Sequence, residues 1–259
     1  MNQTFEDRPP VLRRWWRVPA ALLLLVVTVI GLHFSRVAAD GAPAEPADVS
    51  QPAVLFIGDS YTEGPTTPDL SYGCIAAATL GWSCDIAAQP GTGYVNGGPG
   101  HRLELGEYIG PSTSFVERLP HLRNLYPADI VVLDGGRNDV QLAMNEVMQA
   151  FSDTLTQVIE SWPNSRIVVI APWFANELVL RPPAIAGRTI GEEFRSVLGA
   201  SPGFGDVYLI DPAALGWFAG EDMAEYVSND GIHPNLKGVE RIAGLLSDAL
   251  MSDAVASPS

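Results

Sequence analysis

From residue 53 onward the chain alternates short apolar runs with longer stretches of helical periodicity. The apolar runs fall at 54–57, 84–88, 130–133, 167–170 and 207–210. Several are continuous rather than alternating, which is the pattern of strands covered on both faces. Helical stretches occupy 72–80, 113–124, 140–161, 191–198 and 236–251. Such alternation predicts an α/β fold, a five-stranded parallel sheet with helices on both faces. Five strands around one core predict one domain over residues 53–251, with a frayed tail at 252–259. Three stretches, 91–111, 173–188 and 218–232, read as long loops. Loops of that length in a compact domain are usually functional, and these are the natural walls of a cleft.

The pattern ahead of residue 53 is different. Arg8, Arg13, Arg14 and Arg17 precede a run from Val18 to Leu32 that holds no charge. Trp15, Trp16 and Phe34 flank it as interfacial residues, so that 18–34 reads as a membrane-spanning signal-anchor. A cleaved signal peptide, cut near Val37-Ala38-Ala39, is the alternative. Basic residues stay cytoplasmic, which keeps 1–17 inside and sends the remainder outward. The stretch 35–52 is rich in Ala, Pro and acidic residues and predicts a semi-extended linker. The expected location is the cell surface, on a single-pass anchor, or the exterior if the anchor is cleaved.

Composition narrows the partners. A formal charge of −15 argues against nucleic acid, which needs clustered Lys and Arg, and against attraction of the domain to anionic lipid. The chain has two cysteines, Cys74 and Cys84. Export would place them in an oxidising setting, where a helix and its following strand can come close enough for a bridge. Two buried free thiols are the other reading.

The chemistry gathers at the ends of the predicted strands. Gly58-Asp59-Ser60-Tyr61-Thr62-Glu63-Gly64 follows the first apolar run, so Ser60 stands where open α/β sheets bind ligands. A serine there commonly caps a helix, so Ser60 alone decides nothing. A matching base lies far downstream in Asp230-Gly231-Ile232-His233-Pro234. Of the four histidines, His33 falls in the apolar N-terminal run, and His101 and His121 have no carboxylate three residues upstream. Pro234 forces His233 into extended backbone just before the last helix. Asp230 can then hold one ring nitrogen and leave the other to take the Ser60 proton.

Gly135-Gly136-Arg137-Asn138-Asp139 ends the third strand. Asn138 or Asp139 there could cap a helix. Alternatively the Asn138 amide, with the backbone N–H groups of Ser60 and a glycine, would form an oxyanion hole. Gly91, at the end of the second strand in Gln89-Pro90-Gly91-Thr92-Gly93, is the favoured glycine, with Gly93 as alternative. Gly91-Thr92-Gly93 begins a dinucleotide fingerprint that Asn96 breaks. No zinc-binding or phosphate-cradling motif occurs, so neither a metal nor a cofactor is implied.

In these four segments the chain resembles the GDSL, or SGNH, hydrolase family. Ser60 matches its nucleophile, Gly91 its oxyanion glycine, Asn138 its oxyanion asparagine, and Asp230 with His233 its acid and base. Tyr61 stands where the family name has a leucine, and the segment before Gly91 lacks an asparagine that the family often has. The resemblance implies a flavodoxin-like three-layer α/β/α sandwich and cofactor-free hydrolysis of carboxylic esters. It extends alike to lipases, sugar O-acetyl esterases and thioesterases. The expected substrate is therefore a small-molecule, lipid or polysaccharide ester. Acyl transfer to a surface polysaccharide, and a non-catalytic binding module of the same fold, are the competing readings.

Overall fold

The computed structural model describes residues 51–65, 67–98, 103–104, 107–108, 114–173 and 188–252. The expected basic N-terminus, apolar run and most of the linker lie outside the described residues, as do nearly all of the tail and parts of the loops at 91–111 and 173–188. The chain divides into two units, Met1–Val49 and Ser50–Ser259, and every element below belongs to the second.

Five strands form the sheet: β1 (Ala53–Gly58), β2 (Ser83–Ala88), β3 (Ile130–Asp134), β4 (Arg166–Ile170) and β5 (Tyr208–Ile210). All neighbours are parallel, in the order β2-β1-β3-β4-β5. That is the flavodoxin-like order, whose ligand crevice opens between the carboxyl ends of β1 and β3. The helices are α1 (Ser60–Glu63), α2 (Tyr72–Thr79), α3 (Phe115–Leu125), α4 (Met144–Ser161), α5 (Ile190–Ala200) and α6 (Leu236–Leu250). Within the expected loop at 91–111, Leu103–Glu104 pairs antiparallel with Glu107–Tyr108.

The pleat sorts each apolar run onto two faces. Val54, Phe56, Ile130, Val132, Val168 and Ile170 pack with Ala76 and Ala77 of α2 and Val239, Ile242 and Leu246 of α6. Leu55, Ile57, Val131, Leu133, Ile167 and Val169 pack with Leu119 of α3, Phe151 and Leu155 of α4 and Phe194 of α5. Burying one such side chain is worth about 1.5–3 kcal/mol, so both helical layers are held by the same strands. Hence the continuous apolar runs and the three layers have one cause.

Element boundaries shift where local bonding competes. The helix expected from residue 140 begins at Met144. Arg137–Asp139 forms a separate 3-10 turn there, and the Leu142 N–H donates to Asp139 O at 2.9 Å. α5 starts at a capping box, where the Thr189 hydroxyl takes the Glu192 N–H (3.2 Å) and the Glu192 carboxylate takes the Thr189 N–H (2.6 Å). At the end of β1, a Cβ on Gly58 would lie 1.9 Å from Thr62 Oγ1. Only glycine lets the strand turn so tightly into α1.

Cys74 of α2 and Cys84 of β2 are joined by a disulfide, with their Cα atoms 5.4 Å apart and a separation of ten positions in sequence. Closing so short a loop restricts the unfolded chain by about 2–3 kcal/mol. Replacing both cysteines by alanine should lower stability by about that amount, read as a fall in the urea midpoint. Non-reducing peptide mapping should recover the two peptides linked; free thiols at both positions would show that the bridge does not form.

Candidate active site

β1 delivers Ser60 to the crevice with its hydroxyl unoccupied by capping. The cap of α1 is Asp59, whose Oδ1 accepts the Tyr61 N–H at 2.9 Å. Ser60 is therefore the first helical residue, and its Oγ lies 2.8 Å from His233 Nε2. The competing capping role belongs to its neighbour.

His233 is carried by a narrow antiparallel loop. The Ser228 N–H donates to His233 O and the Asn235 N–H to Tyr226 O, each at 2.8 Å, while Val227 bridges Pro234. Asp230 lies in the turn between these arms. Its Oδ2 is 2.7 Å from His233 Nδ1, and its Oδ1 accepts the N–H groups of Ile232 (2.8 Å) and His233 (3.0 Å). The hydrogen bond from the His233 ring, with these backbone donors, holds the Asp230 carboxyl well below the usual carboxylate range. Both side chains are open to water, 47% exposed for Asp230 and 40% for His233. Asp230 is thus placed by hydrogen bonds rather than by burial.

The oxyanion candidates frame the opposite side. Asn138 Nδ2 donates to Thr92 O at 2.8 Å and lies 3.5 Å from Asp59 Oδ2. Its neighbour Asp139 accepts the N–H groups of Tyr94 (2.7 Å), Asn96 (2.8 Å) and Val95 (3.3 Å) and so shapes the loop after β2. Burial pushes the Asp139 carboxyl up, against the pull of those three donors. A Cβ on Gly93 would come within 2.2 Å of Asp139 Oδ2, so that position admits no side chain. The Gly93 N–H donates to Asn96 O at 2.9 Å, whereas the Gly91 N–H makes no hydrogen bond among the described residues. Of the two glycines, Gly91 is the one with a donor to offer.

Beneath the site lies a charge cluster that sequence reasoning missed. Arg137, 6% exposed, stands between two fully buried carboxylates. Its Nη2 donates to Asp134 Oδ1 at 2.9 Å, and its Nε is 3.3 Å from Asp59 Oδ2. Asp134 Oδ2 also accepts the Thr62 hydroxyl at 2.8 Å and the Tyr72 hydroxyl. Burial works against the guanidinium charge, but the two carboxylates outweigh it and raise the Arg137 pKa. Burial pushes the Asp59 carboxyl up to about 6 against the pull of Arg137, and the like charge of Asp134 adds to the rise. A second buried arginine, Arg118 of α3, donates to Gly58 O at 2.7 Å and to Thr92 Oγ1 at 3.3 Å. It ties the end of β1 to the Gly91 loop. The signal was present in part: an acid closing an apolar strand, with an arginine three residues later. Among the described residues, no group of three or more His, Cys, Asp or Glu is placed to hold a metal ion.

The GDSL-like Lipase/Acylhydrolase family matches residues 56–241, a span that contains every group just described. The chain belongs to that family. Its reaction class is accordingly the hydrolysis of carboxylic esters. A GDSL lipase of Mycobacterium tuberculosis, Rv0518, is 28% identical over 214 residues, covering 78% of this chain and 83% of that protein. A carbohydrate acetylesterase of Sinorhizobium meliloti, Est24, superposes with a TM-score of 0.51 at 18% identity, over 77% of this chain and 98% of that one. A family two carbohydrate esterase of Clostridium thermocellum does so with a TM-score of 0.53 at 18% identity. That match covers 78% of this chain but 64% of the other, less than two thirds of its length. Both structural likenesses are likenesses of fold. Relative to the GDSL name, Tyr61 replaces the leucine after the serine, and its ring lies under the Arg137 guanidinium at 4.4 Å.

Arg137→Met should destabilise the domain by about 3–5 kcal/mol, because Asp59 and Asp134 would be left buried without their cation. Urea unfolding measures it. A loss below 1 kcal/mol would mean that the two carboxylates are neutralised by other means.

Proposed function

We propose that this chain is an exported serine esterase that forms an acyl-enzyme on Ser60. The observation that carries the reading is the continuous relay from Asp230 Oδ2 to His233 Nδ1 (2.7 Å) and from His233 Nε2 to Ser60 Oγ (2.8 Å). Asp230 fixes the tautomer with Nδ1 protonated, and Nε2 takes the hydroxyl proton as Oγ attacks the acyl carbon. The oxyanion is received by the N–H groups of Ser60 and Gly91 and by the Asn138 amide. Of the two Asn138 amide hydrogens, the one facing Asp59 at 3.5 Å is weakly held and is the one available. His233 then protonates the departing alcohol. A water molecule, deprotonated by the same nitrogen, cleaves the acyl-enzyme and releases the carboxylic acid.

The substrate we favour is an O-acyl or O-acetyl ester of a carbohydrate, or a short-chain lipid ester. Support comes from the names of the relatives, a lipase on one side and carbohydrate esterases on the other. Export is supported by the basic residues ahead of the charge-free run from Val18 to Leu32. The Cys74–Cys84 disulfide suits the oxidising compartment that export implies.

Ser60→Ala should abolish hydrolysis of an activated acetyl ester and leave the fold intact; activity within tenfold of the parent would overturn the assignment. Asn138→Ala should lower turnover about 10²–10³-fold by removing one oxyanion donor. A series of esters of rising acyl length, run with and without a sugar acceptor, separates deacetylation from lipolysis and hydrolysis from acyl transfer. Protease added to intact cells should digest the domain, and full protection would contradict the outward orientation.

A further inference from the structure

We propose that Tyr61 is a positioning residue for the catalytic base, fixing the peptide plane from which His233 projects. The inference rests on the serine-histidine reading above. The Tyr61 hydroxyl donates to Ile232 O at 2.5 Å across 171 residues of sequence. The peptide bond whose carbonyl it grips is the one joining Ile232 to His233. The N–H of that same bond donates to Asp230 Oδ1 at 3.0 Å. A peptide unit is planar, so a hold on its oxygen and a hold on its nitrogen fix the orientation of the whole plane. The direction of the following Cα–Cβ bond, and with it the His233 ring, is set from both sides. One of those holds is the catalytic acid; the other is the residue covalently attached to the nucleophile.

The arrangement addresses a specific mechanical problem. His233 lies at the end of a long excursion from β5, through a segment with a single short 3-10 turn, Met223–Glu225. Its ring and its acid are each a little under half exposed to water, so burial in the core does not hold them. Tyr61, by contrast, is 4% exposed and tightly flanked. The Arg137 guanidinium lies 4.4 Å over its ring, Trp173 meets it edge-on at 5.2 Å, and the His233 ring is 5.6 Å away. Arg137 is itself bound to Asp134 and lies beside Asp59, which precedes Ser60. A rigid buried assembly therefore reaches through one phenol to the exposed loop. A leucine at this position, as in the family name, has no donor to make that link.

Tyr61→Phe keeps the ring, its packing and the cation above it, and removes a single hydroxyl. It should lower kcat on a p-nitrophenyl acetate assay about 10–100-fold through misplacement of the base, with KM within twofold of the parent. The melting temperature should fall by no more than about 2–4 °C, the effect of one hydrogen bond. Site-specific replacement of Tyr61 by 3-fluorotyrosine restores the donor and should return kcat to near the parental value. A fluorophosphonate should still label Ser60 to completion in Tyr61→Phe, at a rate reduced in parallel with kcat. Parental kcat in Tyr61→Phe would overturn the proposal, as would a change confined to KM or a failure of fluorotyrosine to restore turnover. Ser60→Ala run alongside separates the two levels. If it retains activity, the serine-histidine reading fails; if it is inactive while Tyr61→Phe is unimpaired, only the role of Tyr61 fails.

Discussion

Arg137 carries its charge where water barely reaches, and a guanidinium so placed must find its counter-charges within the fold. It finds them at the carboxyl ends of the two adjacent strands that flank the crevice, in Asp134 closing β3 and Asp59 following β1. The consequence is geometric. Asp59 caps the helix that begins with Ser60, and Asn138 follows Arg137 in the chain, so the Ser60 turn and the Asn138 turn are fastened to one cation. Three charges at close quarters with fixed partners tolerate little relative movement, because any separation would leave a bare charge in a poorly solvated place.

The site is thus rigid below and open above. Burial, aromatic contacts and paired charges fix the floor, whereas Asp230 and His233 are set by hydrogen bonds in a solvated loop. That division suits the hydrolysis of esters. The attacking oxygen and the oxyanion donors must hold their positions closely, while the base must be reachable by an incoming water molecule. Arg118 adds a second tie on the floor by binding the Gly58 carbonyl and the Thr92 hydroxyl together. The Gly91 loop is therefore referenced to the same strand end as Ser60.

Much of this was legible in the order of residues. The apolar runs announced five strands covered on both faces, and the parallel sheet follows from their alternation with helices. The Asp230–His233 pair was legible because its hydrogen bond closes within three residues, so that the Asx-type turn needs no distant partner. α4 starts four residues later than the periodicity predicts, since a 3-10 turn and a further tight turn precede it. The choice between Gly91 and Gly93 was open in the sequence because it depends on a loop contact: the Gly93 N–H donates to Asn96 O, in a loop that Asp139 shapes.

The sequence by itself determined the layered α/β architecture, and it singled out the strand ends, with a serine, a histidine and an acid, as the candidate place for chemistry. These depend on periodicity and on bonds between residues a few positions apart. Only the tertiary structure decided that Asp59 caps α1 and leaves Ser60 for His233, that Arg137 joins Asp59 to Asp134, and that Tyr61 meets Ile232. Such contacts join segments up to 173 residues apart. The bonds of Asp59 to Tyr61 and of Asp134 to Arg137 close locally, but nothing in the local pattern encodes the others, because they exist only once the sheet has set its strand order and brought those ends together.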